Sequence, residues 1–205
     1  MKIVKPQLVT FDLSHKDPCV EIERVARTCY QSRDKMEPGK AGPFVRRLVR
    51  RGHLAMLEFV DATATFVCDR GMSHELVRHR LASFAQESTR YCNYSKGKFD
   101  AEITCVQQTA TDREGDPVAQ IIYEAAWKSA ESAYNTLIDV GVSPQEARAV
   151  LPIGLRTEIV MKCNLREWLH VIGLRDSPAA HPIIRALVGQ VKERLLSRVP
   201  EIFEE

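Results

Sequence analysis

The sequence predicts a single α+β domain over residues 1–205, with a mixed or antiparallel sheet flanked by helices. Three observations lead there. Residues Ile153 to Cys163 alternate with a period of two, the pattern of a half-buried strand. Acidic or serine residues before proline, at Asp17-Pro18, Asp116-Pro117 and Ser143-Pro144, mark helix starts. Strand and helix patterns then intermix with no regular βαβ repeat, no glycine-rich dinucleotide turn and no P-loop. At 205 residues the chain can bury one good core.

Taken in order, residues 2–11 read as a strand placed at a sheet edge by Pro6. A helix follows from Asp17-Pro18, with Val20, Val25, Ala26, Cys29 and Tyr30 expected on its apolar face. Residues 31–42 read as a loop, and 43–51 as a short basic helix ended by Gly52. Phe59 to Cys68 reads as a strand with Ala62, Ala64, Phe66 and Cys68 inward. A helix over 73–80, capped by Ser73, an ordered loop over 83–97 and a strand over 102–107 come next. Residues 108–116 are turn-like. The longest helix runs from Asp116-Pro117 to about Val140, with Ile121, Ala125, Lys128, Ser132, Leu137 and their neighbours marking a face that is only moderately apolar. After the period-two strand, helices over 165–174 and from Ser177-Pro178 to about Pro200 complete the chain.

Composition excludes several functions. A formal charge of +2 generates no field that would drive the chain onto nucleic acid or anionic membrane. No apolar run reaches membrane-spanning length. The six cysteines form no C-x-x-C pair and most sit within apolar segments, which suits a reducing compartment. The N-terminus lacks a signal-peptide pattern. The expected location is cytoplasmic, with no membrane or nucleic-acid partner.

The chemistry concentrates in Arg78 to Arg90, RHRLASFAQESTR, which holds three arginines, a histidine and three hydroxyl residues. Such a run suits a phosphorylated, planar ligand. Further arginines, Arg148, Arg166 and Arg175, stand at the edges of apolar elements, where partial desolvation would demand an anionic partner. His74, Glu75 and His79 suggest zinc, but histidines five apart on a helix differ by about 500° of rotation and face different ways. No metal site is expected. On residue type alone, His53 reads as a loop histidine, His170 as an interior one, and the cysteines as structural thiols. A basic nucleic-acid-binding module using Arg78 to Arg90 is the alternative reading, opposed by the low charge and the lack of an aromatic stacking series.

The string RHRLASFAQESTR matches the signature of the flavin-dependent thymidylate synthases at every defined position. The flanking CDRGMSHELVRHR and STRYCNYSKGKF, the EARAVLP segment and NLREWLHVIGLR resemble the same family, so the likeness runs from about Val25 to Leu196. The resemblance implies that family's fold and its reaction: reductive methylation of dUMP to dTMP, with bound FAD, methylenetetrahydrofolate as carbon donor and NADPH as reductant. It also implies a homotetramer with active sites shared between subunits. Carried onto this chain, Ala55, Arg78, His79, Arg80, Gln86, Asn164, Leu165, Arg166 and His170 would contact the flavin. Glu75, Leu76, Val77, Arg78, Gln86, Glu87, Ser88, Thr89, Arg90, Arg148 and Arg175 would contact dUMP. Arg175 would activate the uracil in place of a cysteine nucleophile, and His53 would help place the carbon donor. One departure stands out. Where many members have G-H-x-S-x-x-E-H, this chain has Gly52-His53-Leu54-Ala55-Met56-Leu57-Glu58-Phe59, so no hydroxyl is available at position 55.

Overall fold

Two helices begin where the sequence places an acidic cap ahead of a proline. In the computed structural model, which describes residues 1–99, 101–108 and 116–204, Asp17 accepts a hydrogen bond from the Val20 amide and opens α1 (Pro18–Ala26). Asp116 accepts from the amides of Val118 and Ala119 and opens α4 (Pro117–Asp139). Each carboxylate satisfies amides that have no partner within the helix. Residues 109–115, part of the expected turn, lie outside the described residues.

The remaining elements are β1 (Lys2–Val4), β2 (Gln7–Leu13), α2 (Ala41–Arg50), β3 (Asp61–Asp69), α3 (Arg70–Leu76), β4 (Ser83–Gln86), β5 (Thr104–Val106), α5 (Pro144–Ala147), β6 (Arg156–Asn164), α6 (Leu165–Arg175), α7 (Pro182–Arg198) and α8 (Pro200–Phe203). The strands form a sheet in the order β2-β3-β6-β4 and a parallel pair, β1 with β5, in which Lys2 lies opposite Thr104. The α+β class holds.

The chain divides into two compact units. One comprises Met1–Gln7, Phe66–Arg78 and Ala85–Ile159; the other comprises Leu8–Thr65, His79–Phe84 and Val160–Glu205. The first unit packs Tyr94, Ile103, Cys105, Trp127, Tyr134, Ala147 and Leu155 into one cluster. In the second, α1 packs on α2, and α7 on α6 and α8, burying Ile22, Val45, Leu187, Val191 and Leu195. Trp168, fully buried, donates its indole N–H to the Ala62 carbonyl at 3.1 Å. Among the described residues no helix is long and apolar enough to cross a membrane.

Several expectations are corrected. The first strand is broken at Lys5-Pro6 into β1 and β2, since proline cannot donate to a ladder. The buried side of α1 is Cys19, Ile22, Glu23 and Ala26; Val20, about 100° round the helix from Cys19, is exposed, and Tyr30 is exposed beyond Ala26, where the helix tightens to a 3-10 turn. The third helix starts at Arg70, not Ser73. Asp69 is its cap, accepting from Met72 at 2.6 Å, and Ser73 is buried within the helix. Residues 83–86, expected in a loop, are strand β4. In α4 the aromatic pair Trp127 and Tyr134 faces the core, seven residues apart and so on one side. Ile121, Ala125, Lys128 and Ser132 are exposed, opposite to the expected face.

Candidate functional site

The first unit gathers most residues assigned to the nucleotide. The segment from Gln86 to Arg90 leaves β4 and is tied down on every side. Gln86 Nε2 donates to the Ser73 and Thr157 hydroxyls at 2.8 and 3.2 Å. The Glu87 amide donates to the Glu158 carbonyl at 2.9 Å, and its own carbonyl accepts from Arg70 at 3.0 Å. Thr89 is buried, and its hydroxyl accepts from Arg148 at 3.3 Å. Arg90 Nε donates to Gln145 at 3.1 Å, three residues before Arg148. Arg148 is thereby brought against the segment that carries Arg90, 58 positions away. Both are exposed, and among the described residues neither has a carboxylate within ion-pair distance. The partly buried Arg148 expected from its place beside Val150-Leu151-Pro152 is therefore an exposed one. That arrangement can take a dianionic phosphate by charge-assisted hydrogen bonds.

Glu75 is half-buried on α3, Leu76 is fully buried, and Val77 and Arg78 are exposed just beyond the helix end. The side chain of Leu76 belongs to the core, which leaves its backbone for any ligand.

The second unit holds a cluster around His79, which is only 5% exposed. Arg175 Nε donates to His79 Nε2 at 3.0 Å. His79 Nδ1 lies 3.8 Å from the buried Glu167 carboxylate, and its ring meets His170 edge-on with centroids 6.0 Å apart. Burial pushes the His79 pKa down to about 4, helped by the nearby Arg175 guanidinium and the neighbouring His170 ring. The ring is neutral at pH 7, and because Nε2 accepts from Arg175, the proton sits on Nδ1.

His79, Glu167 and His170 place potential metal-binding atoms within 4.8 Å of one another. The Arg175 hydrogen bond opposes that use. A cation would have to displace either the Nδ1 proton or the guanidinium. The His74–Glu75–His79 reading fails on position, since α3 stops at Leu76 and His74 is exposed.

Most other assigned residues in this unit lie near the surface. Asn164 caps α6, accepting from the Glu167 amide at 2.9 Å. Leu165 is fully buried. Arg166 is exposed and paired with Glu58 at 2.6 Å, not desolvated as expected. His170 is exposed, not interior. Arg80 is exposed. His53 and Ala55, both exposed, line a cavity of about 680 Å³ whose wall includes Phe44, Leu48 and Met56 and whose cations include Arg27, Lys35 and Arg51.

Four cysteines are poor nucleophiles. Burial pushes Cys19, Cys68 and Cys105 up to about 12, and raises Cys163 further. Cys29 is exposed and Cys92 half-buried.

Sequence reasoning missed Glu167, Arg70, Tyr94 and Arg156. Glu167 lies one residue beyond the quoted Asn164-Leu165-Arg166 set. Arg156 and Glu158 form the polar row of β6, which period-two analysis marks only as solvent-facing.

Comparison with known proteins agrees with the signature. The family model described as thymidylate synthase complementing protein matches residues 12–201. A flavin-dependent thymidylate synthase of Geobacter sulfurreducens is 32% identical over 92% of this chain and 82% of its own length. One from Mycolicibacterium gilvum is 33% identical over 90% of this chain and 78% of its own. Among solved structures, the UMP/dUMP methylase PolB of Streptomyces cacaoi, bound to 5-Br dUMP, superposes with a TM-score of 0.77 at 25% identity. It covers 100% of this chain and 96% of its own.

Proposed function

The chain belongs to the thymidylate synthase complementing protein family, and on that premise we propose that it is a flavin-dependent enzyme that methylates dUMP to dTMP. The observation that carries this reading is that Arg148 bonds to Thr89 while Arg90, the next residue, bonds to Gln145, three positions before Arg148. Two exposed guanidinium groups, neither with a carboxylate partner among the described residues, stand beside the buried Thr89 and suit an anionic phosphate, and Arg90 and Thr89 both lie within the family's signature.

The finer assignments rest on the family resemblance together with the chemistry of the residues. The donor set suits an anionic dinucleotide. Arg78 and Arg80 are exposed cations without a carboxylate partner among the described residues, and Arg166 sits at a surface pair it can leave. Asn164, His170 and the backbone at Ala55 and Leu165 complete the expected flavin set, with Gln86 bound at its base. Bound FAD would supply hydride after reduction by NADPH. Methylenetetrahydrofolate would supply the carbon, placed by His53. Arg175 would favour negative charge on the N3–C4–O4 side of uracil and so raise electron density at C5. Its guanidinium presents donors in a fixed plane, and the bond to His79 orients that plane. The raised pKa values of the buried thiols support activation by arginine over cysteine addition.

The proposal includes a cytoplasmic homotetramer with sites shared between subunits, and one catalytic domain per chain, since β3, β4 and β6 each run through both units. The structural neighbour's name adds UMP as a second acceptor to be tested beside dUMP.

An absorbance spectrum of the purified protein tests the core of this reading. A yellow protein bleached by NADPH, with dTMP formed once dUMP and methylenetetrahydrofolate are added, is the expected result. A colourless protein that takes up no FAD, and whose nucleic-acid affinity falls steeply with salt, would overturn it.

A further inference from the structure

We propose that Arg156 is a positioning residue for the nucleotide-binding segment: through Glu87 it holds Gln86–Arg90 in the shape that receives the phosphate. This deepens the function proposed above and rests on it.

Glu87 lies inside the signature and was expected to touch substrate. Its carboxylate is already engaged. Oε2 accepts from Arg156 at 2.7 Å and Oε1 accepts from the Tyr94 hydroxyl at 3.0 Å. The glutamate side chain is 14% exposed and the arginine 28%. Arg156 also binds Glu158 at 2.9 Å, the residue whose carbonyl receives the Glu87 amide. Glu87 is thus gripped twice, by its backbone against β6 and by its side chain against an arginine on the same strand.

Neighbouring contacts extend the grip. Arg70 Nη1 bridges the Glu87 carbonyl and the buried Thr157 hydroxyl. That same hydroxyl accepts from Gln86. Beyond Glu87 the Ser88 carbonyl accepts from the Tyr91 and Cys92 amides, closing a turn that carries Thr89 and Arg90. Arg90 therefore reaches a ligand from a segment whose base is anchored at Glu87, and Arg148 meets that segment at Thr89. Loosening that base moves the phosphate site, and a displacement of about 1 Å at a binding group is enough to weaken its ligand strongly.

The assignment separates two jobs within the signature. Arg90 and Arg148 touch the ligand. Glu87 and Arg156 set where those groups stand. None of the paired atoms needs to contact substrate.

The test compares Arg156→Gln, Arg156→Lys, Tyr94→Phe and the double variant Arg156→Gln/Glu87→Gln with the parent. Flavin content, KM for dUMP, kcat and hydrogen exchange at the Tyr91 and Cys92 amides are measured. Arg156→Gln is expected to raise KM for dUMP about tenfold, with kcat at saturation within about twofold and flavin content unchanged. Exchange at the two amides should accelerate. Arg156→Lys should recover most of the loss, and Tyr94→Phe should raise KM about threefold. The double variant removes the stranded carboxylate, so its stability should return while KM stays high. A parental KM in Arg156→Gln or in the double variant would overturn the proposal. If Arg156→Gln does not fold, Tyr94→Phe and the double variant decide. A parent protein that holds no flavin and makes no dTMP would instead overturn the proposed function, and the exchange data would still report whether Arg156 orders the segment.

Discussion

Arg175 and His79 lie 96 positions apart, yet the arginine Nε donates to the histidine Nε2 at 3.0 Å. The bond sets both partners. It fixes the guanidinium plane and holds the imidazole proton on Nδ1, toward Glu167. Arg175→Ala should keep its flavin and lose at least about 100-fold in dTMP formation, the scale of removing one preorganised charge-stabilising donor. Flavin absorbance and single-turnover dTMP yield measure the two effects. Near-parental turnover would remove Arg175 from the chemistry.

The buried His79 also makes stability depend on pH. Its pKa falls from 6.5 in the unfolded chain to about 4 in the fold, chiefly by desolvation. Between those values the unfolded chain binds more protons, so stability rises with pH. The contribution is intact above about pH 6.5, is lost as pH falls, and is gone below about pH 4. At 1.36 kcal/mol per unit the full loss is about 3 kcal/mol. Urea midpoints measured from pH 7.5 to 4.5 should fall, and His79→Leu should flatten that part of the curve. A parental slope retained in His79→Leu would assign the effect to other groups.

Cysteine substitution should leave the reaction running. Cys163 is 4% exposed in β6, and its raised pKa leaves almost no thiolate at pH 7. Cys163→Ala is expected to cost about 1 kcal/mol of stability and less than about twofold in kcat. Cys92→Ala should behave likewise. Loss of turnover in either well-folded variant would support a covalent thiol route.

Gly154 is held against an aromatic ring. A Cβ built there would stand 2.9 Å from Trp127 Cζ2, and Trp127 is buried and stacked on Tyr123. The ring has little room to yield. Gly154→Ala should destabilise by about 1–3 kcal/mol, the usual range for overpacking, and a thermal melt reads it.

Asn164 combines a structural task with an expected ligand contact. Its side-chain oxygen caps α6. Asn164→Ala should lose about 1 kcal/mol through the cap and should also weaken flavin retention. Asn164→Asp keeps the acceptor and should restore stability alone. Equal flavin affinity in all three proteins would confine Asn164 to capping.

Much of the local structure was legible before any coordinates. Asp17-Pro18 and Asp116-Pro117 start helices because a carboxylate and a proline act on the nearest amides. The row Thr157, Ile159, Met161 and Cys163 is buried because side chains alternate along a strand. The signature at Arg78–Arg90 pointed to the family. Errors came where local patterns compete. Ser73 is a good cap, but Asp69 stands one turn earlier and takes the amide. The apolar row of α4 was read from Ile121 and Ala125, whereas Trp127 and Tyr134 bury more surface and turn the helix.

By itself the sequence determined the helix starts, the alternating strand, the dispersed thiols and the arginine-rich string with its family. These depend on residues within a few positions of each other. Only the tertiary structure decided that His79 is buried and neutral, that Arg175 holds it, that Arg148 meets Thr89, and that Glu87 pairs with Arg156. Each of those pairs is separated by 59 to 96 positions, and a guanidinium carries no local signal of which partner will desolvate beside it.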